Sequence, residues 1–146
     1  MFDIPPVWLA IAAALVWGQA TLIPSGFSAT PMLRALGTAL IAAGCVIIGL
    51  AAWEFRRHKT TLVPHLQPKA LVDTGVFSWS RNPIYLADAI ILFGLCMRWG
   101  AYPSVVLVPV FMVFIQKRFI EGEEIRLRSS FGHLFDDYVQ KVRRWV

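Results

Sequence analysis

The sequence predicts an all-α integral membrane bundle of four transmembrane helices followed by a cytoplasmic C-terminal helical segment. Of its 146 residues 57% are hydrophobic and only 16% charged, and the mean hydropathy of +0.59 lies well above that of a water-soluble domain. The apolar residues are gathered into long runs divided by short polar clusters, and backbone in lipid must satisfy its own hydrogen bonds, which favours helices. The basic residues then sort by side. Four crossings put Arg56, Arg57, Lys59, Lys69, Arg81, Lys117, Arg118, Arg126, Arg128, Lys141, Arg143 and Arg144 on one face and leave Arg34 and Arg98 on the other. The positive-inside rule makes the crowded face cytoplasmic, with both termini there.

Taken in order, the first helix is predicted over 7–23, roughly 25 Å at 1.5 Å per residue, closed by Pro24-Ser25-Gly26. With no basic n-region and no Ala-x-Ala cleavage site, it reads as a retained helix rather than a signal peptide. The second spans 36–53 and stops at Glu54-Phe55-Arg56-Arg57-His58-Lys59; Ala35, Ala39 and Ala43 form a small-residue stripe suited to close helix packing. Between 54 and 82 runs a polar loop with turn signals at Pro64, Pro68 and Asp73-Thr74-Gly75. The third helix, 83–99, turns at Trp99-Gly100 into the fourth, 101–130, and snorkelling by Arg98, Lys117 and Arg118 extends both. Gly132 is a C-cap signal. Leu134, Phe135, Tyr138, Val139, Val142 and Trp145 recur at helical spacing and predict an amphipathic helix over 134–145, lying on the membrane or against the bundle. The length suits a single domain, 1–146.

Several classes are set aside. A net charge of +5 can signal nucleic acid, but here the cations flank membrane segments, where they fix topology and attract anionic lipid. Cys45 and Cys96 lie in apolar runs without metal-ligand spacing and read as buried membrane thiols. His58, His65 and His133 form no ligand set, so no metal is expected; His133, between two helices, has the best claim to a site.

Two polar clusters flank the last helix pair and fall on one membrane face. Asn82-Pro83 is a helix start, with Asn as N-cap and Pro at the first helical position, but that does not account for the flanking Arg81 and Tyr85. Glu123 and Glu124 precede Arg126 and Arg128 at ion-pairing spacing, and adjacent acids point about 100° apart, so one should face the bundle. Leu127 and Phe131 continue the face of Glu124, which is therefore the favoured acid. Asp88, one turn beyond Tyr85, is costly in lipid unless paired or wetted and marks a polar pocket, for which Gln19 is a candidate partner.

Leu71-Val72-Asp73-Thr74-Gly75-Val76-Phe77, Ser80-Arg81-Asn82-Pro83-Ile84-Tyr85-Leu86, Glu123-Glu124-Ile125-Arg126-Leu127, Phe131-Gly132, Tyr138 and Val142-Arg143-Arg144-Trp145 occur in that order. Together they resemble the isoprenylcysteine carboxyl methyltransferase and phospholipid methyltransferase superfamily over roughly residues 60–146, and Thr60-Thr61-Leu62-Val63-Pro64 is similar to its bacterial variant. The resemblance implies a membrane methyltransferase of the bacterial inner membrane that uses S-adenosylmethionine at the cytoplasmic face. Its acceptor would be a lipid or other amphiphile entering from the bilayer, methylated on a carboxylate oxygen or a headgroup nitrogen. Carried onto this chain, Arg81 and Glu124 would be catalytic; Gly75, Arg81, Asn82, Pro83, Tyr85, Leu86, Glu123, Glu124, His133 and Tyr138 would surround the cofactor; Asp88 and Gln19 would line the acceptor pocket. Arg81 would hold the methionine carboxylate, Glu124 the ribose or amino group, and the faces of Tyr85 and Tyr138 the adenine or sulfonium.

The chain departs from the family pattern at Asn82, where eukaryotic members carry His, at Phe135, where a Tyr is usual, and at Ala87-Asp88, which replaces Gly and an apolar residue. Two other classes compete: a nicotinamide-dependent reductase related to sterol reductases, which carry a similar Arg-x-Pro-x-Tyr element, and a non-enzymatic four-helix transporter or lipid-binding protein.

Overall fold

A computed structural model describes residues 4–23, 28–59 and 70–146. The turn at 24–26 and the 60–69 stretch, with the Thr60-to-Pro64 element, His65, Pro64 and Pro68, lie outside the described residues. The described chain is helical: α1 Pro5–Leu22, α2 Pro31–Arg57, α3 Pro83–Trp99, α4 Leu107–Ile115, α5 Glu121–Phe131 and α6 His133–Lys141. A 3₁₀ turn, Tyr102–Val106, leads into α4, and one π turn, Gln116–Ile120, joins α4 to α5, so Tyr102–Phe131 is one continuous rod. This rod, α1 and α2 are long and apolar enough to cross a membrane. α3 is the shortest of the four at 17 residues, about 25 Å.

α3 is the central helix. On one side it meets α2, antiparallel, through facing small residues: a Cβ on Gly37 would lie 2.5 Å from the Gly94 carbonyl oxygen, and one on Gly44 would lie 3.0 Å from that of Ala87. On its other side Tyr85, Leu92 and Cys96 pack with Ala12 and Val16 of α1, with Phe111 and Ile115 of α4, and with Phe119 and Ile120 of the π turn. Large apolar side chains elsewhere on α1 and α2 face outward, among them Leu15, Trp17, Val46 and Trp53, as expected of surfaces solvated by lipid. Trp53 and Trp79 lie toward one end of the bundle and Trp17 and Trp99 toward the other, the positions of two interfacial belts.

This packing corrects three expectations. The small-residue face that packs is Gly37, Gly44 and Ala51, whereas Ala35, Ala39 and Ala43 are exposed. A spacing of seven follows the shallow crossing of α2 over α3, and the spacing of four in the alanines winds off that line. Cys45 lies on the same outward side and is exposed, while Cys96 is buried; both are free thiols. Gln19 does not meet Asp88: its Oε1 accepts from Ser104 Oγ (3.0 Å) and its Nε2 donates to the Ile23 carbonyl (2.8 Å). α1 and α3 run parallel, and Gln19 falls about 20 Å along its helix whereas Asp88 falls about 8 Å along its own.

Backbone atoms cannot yield where Gly37 meets Gly94, so Gly37→Ala must push α2 and α3 apart. We expect this variant to lose about 1–3 kcal/mol of stability, read as a lowered Tm in detergent, whereas Gly49→Ala, which meets nothing within 4 Å, should be close to neutral.

Candidate functional site

The first turn of α3 supplies the site's base. Pro83 sits at the first helical position as predicted, and its missing N–H forfeits no helix bond there. Asn82 occupies the N-cap position but does not cap. Its Nδ2 donates to the Arg144 carbonyl (3.1 Å), and no side-chain bond reaches the helix start. The reason is the C-terminal segment, which the helical spacing carries on to 145 but which leaves helical geometry at Val142 (φ −123°, ψ 130°). Residues 143–145 then cross the start of α3 as a strap. The Arg81 N–H donates to the Arg143 carbonyl (3.0 Å), Ser80 Oγ to the Arg144 carbonyl (3.3 Å), and Trp145 Nε1 to Gln116 Oε1 in the π turn (3.3 Å). These bonds replace the helical ones that residues 142–145 would otherwise make.

Both adjacent acids turn toward other elements, because α5 lies between α3 on one side and the strap on the other. Glu123 Oε1 accepts from the Tyr85 hydroxyl (2.7 Å). Glu124 accepts two bonds from Arg144, Oε1 from Nε (3.0 Å) and Oε2 from Nη2 (2.7 Å), and its Oε1 also lies 3.3 Å from Arg81 Nη2. The paired carboxylate raises the pKa of Arg144 through those hydrogen bonds. Arg128, the partner expected for Glu124 along the helix, pairs instead with Asp136 (2.8 Å). Arg81 is nearly buried, and its Nε is a buried donor with no acceptor among the described residues. An orphaned guanidinium N–H beside an ion-paired carboxylate calls for an acceptor from outside the described residues.

Beneath this cluster lies a second support. Tyr138 donates its hydroxyl to the Phe77 carbonyl (2.6 Å), and burial raises its pKa. Phe135, 1% exposed, packs with Tyr138 and Val142 against Leu71, Leu127 and Phe131, so α6 lies against the protein. Gly75, with φ +58°, leaves the left-handed backbone free of a Cβ that would lie 2.5 Å from Glu54 Oε1. Thr74 Oγ1 donates to Glu54 Oε2 (2.8 Å), which fastens the turn bearing Phe77 to the end of α2. Removing the Tyr138 hydroxyl leaves the buried Phe77 carbonyl without this bond: Tyr138→Phe should cost about 1–2 kcal/mol and lower the Tm by a few degrees.

Arg81, Asn82, Pro83, Tyr85, Glu123 and Glu124 therefore converge, with Leu86 half-buried one turn into α3. Gly75 and Tyr138 act through architecture, since the Tyr138 hydroxyl is already engaged. His133 stands apart: Gly132 turns the chain at φ +52° and leaves His133 exposed, with no hydrogen bond to the cluster. Asp88 is 4% exposed, on the Tyr85 side of α3, and makes no hydrogen bond or ion pair among the described residues. Arg144, Ser80 and Glu54 went unassigned in the sequence. Glu54, an isolated acid ending an apolar run within a basic cluster, carried the one local signal that it needed a partner. No group of three or more metal-ligating side chains occurs among the described residues.

No curated protein and no solved structure gives a significant match to the chain. The family model described as phospholipid methyltransferase matches residues 32–133. That stretch contains α2 after its first residue, the Glu54-anchored turn, the α3 start with Arg81 and Tyr85, and Glu123 and Glu124 of α5, so the match and the converging cluster fall on the same part of the molecule. Covering more than two-thirds of the sequence, it places this membrane protein in the phospholipid methyltransferase family.

Proposed function

We propose that the chain is one membrane domain transferring a methyl group from S-adenosylmethionine to the headgroup of an amphiphile, at the face where Arg81, Glu124 and the strap meet. The observation that carries this reading is the orphaned Arg81 Nε: a planar donor held in place on a buried site, suited to the carboxylate of an amino acid moiety. The residues fit such a donor. Glu124 already accepts two hydrogen bonds from Arg144 and is ion-paired with Arg81, so it serves chiefly to position Arg81, a different task from the ribose contact that the resemblance implied. Asn82, Ser80 and the strap close the same wall.

When bound, the cofactor supplies an electrophilic methyl on a sulfonium. The protein's part is alignment and exclusion of water. Arg81 orients the donor, and the Tyr85 ring, stacked on Phe119, forms an apolar and electron-rich wall. Asp88 and Glu123 lie beside Tyr85 with Arg126 as the neighbouring cation, two carboxylates to one guanidinium, which leaves the acceptor side acidic on balance. That favours an amine headgroup over a carboxylate, and Asp88 is placed to take the proton that an ammonium must lose before attack. The crowded positive face supports a cytoplasmic site with both termini on that side, and a bacterial inner membrane is the setting this reading proposes.

The test is methyl transfer in nanodiscs, using methyl-labelled S-adenosylmethionine with phosphatidylethanolamine or, separately, a prenylated thioether carboxylate. Label entering the ethanolamine lipid is expected. Label entering neither, with no S-adenosylhomocysteine formed, would remove the methyltransferase reading and return the nicotinamide reductase and the transporter to consideration.

A further inference from the structure

The face opposite the site holds the two remaining cations, Arg34 and Arg98. We propose that they form, with Trp99, a binding site for the phosphate of an anionic phospholipid in the leaflet opposite the Arg81 cluster. The inference does not depend on methyl transfer.

The close approach of α2 and α3 builds the site. A Cβ on Gly37 would lie 2.7 Å from the Arg98 backbone nitrogen, so the last turn of α3 lies against the first turns of α2. Arg98 Nη1 donates to Thr38 Oγ1, and Thr38 is one turn beyond Arg34 on the same helix. Arg34 and Arg98 both line one open cavity of about 320 Å³, together with Ala29 and Trp99. That volume suits a lipid headgroup.

Charge balance says what occupies it. The sequence has no acidic residue between Asp3 and Glu54, nor between Asp88 and Glu121, and those stretches contain everything described at this end of the bundle. Arg34 has no side-chain partner among the described residues, and it lies in the first turn of α2, where the helix dipole disfavours a cation. The one side-chain hydrogen bond of Arg98 among the described residues goes to a neutral hydroxyl. Two like charges bordering one cavity at the edge of a bilayer need an anion from outside the chain. Guanidinium groups match phosphate oxygens in paired geometry, and Trp99 marks headgroup depth.

A free phosphate has the same oxygens. The flank decides for a lipid: Ala35, Ala42 and Cys45 are exposed along the Arg34 side of α2, and Trp99 is 38% exposed at the cavity, an apolar surface on which acyl chains can lie. With no carboxylate nearby to receive an ammonium, a headgroup carrying net negative charge fits better than a zwitterionic one.

The experiment is native mass spectrometry of the full chain titrated with phosphatidylglycerol or phosphatidylcholine, with sn-glycerol 3-phosphate as the soluble competitor. Wild type should bind one phosphatidylglycerol about tenfold more tightly than phosphatidylcholine, and Arg34→Gln/Arg98→Gln should abolish that preference. Arg56→Gln/Arg57→Gln, on the other face, should keep it. If the double variant does not fold, Arg34→Gln alone decides, because it forfeits no side-chain hydrogen bond or ion pair among the described residues; it should weaken phosphatidylglycerol severalfold. An unchanged preference in either variant would overturn the site, and displacement of the lipid by millimolar glycerol phosphate would overturn the lipid as its ligand.

Discussion

Glu124→Ala should abolish methyl transfer and cost about 2–3 kcal/mol of stability, the largest combined effect we expect from a single substitution. The carboxylate accepts from Arg144 and is ion-paired with Arg81, and removing it leaves two cations facing each other at the start of α3, one of them nearly buried. The lower end of the range for a broken buried pair applies because Arg144 retains some exposure and water can reach it. Without Glu124 the Arg144 clamp of the strap is gone, while the Trp145 bond to Gln116 and the strap's backbone bonds to Arg81, Asn82 and Ser80 remain. Activity should therefore fall more steeply than stability. Glu124→Gln, which keeps the shape, should recover most of the lost stability but little of the turnover. Denaturant titration in detergent alongside a labelled-methyl assay separates the two.

Arg81→Gln should show the opposite division. Its Nε has no acceptor among the described residues and its contact with Glu124 is long, so Glu124 keeps its paired bonds to Arg144 when Arg81 is shortened. Stability should change by less than about 1 kcal/mol, since an unsatisfied buried donor is removed along with a weak ion pair. Donor affinity should nevertheless fall about tenfold to a hundredfold, the loss of a charge-assisted hydrogen bond to a carboxylate. A large loss of stability with unchanged donor affinity would make Arg81 a structural residue.

What the sequence made legible follows from the range of each interaction. Pro83 and the Trp99-Gly100 turn are local signals, and α3 begins and ends where they stand. Apolar run length located the membrane helices, although α2 continues past its apolar run at both ends, with Thr30 capping one and Arg56 and Arg57 suiting the dipole at the other. The failures came from contacts distant in sequence. Helical spacing through Trp145 was real, yet hydrogen bonds to Arg81, Asn82 and Ser80 outcompeted the helix after Lys141. Likewise Glu124 had a good partner four residues away in Arg128, and took Arg144 twenty residues away. The π turn at Gln116 carries no local composition signal, and its side chain is tied to Trp145.

The most direct test is a calorimetric cycle in nanodiscs: S-adenosylhomocysteine and its decarboxylated analogue, each titrated into wild type and Arg81→Gln. If Arg81 holds the donor's carboxylate, removing that carboxylate weakens binding to wild type about tenfold or more and leaves binding to Arg81→Gln nearly unchanged. Equal losses in both proteins, or no binding of either ligand to wild type, would contradict the placement of the donor at this site.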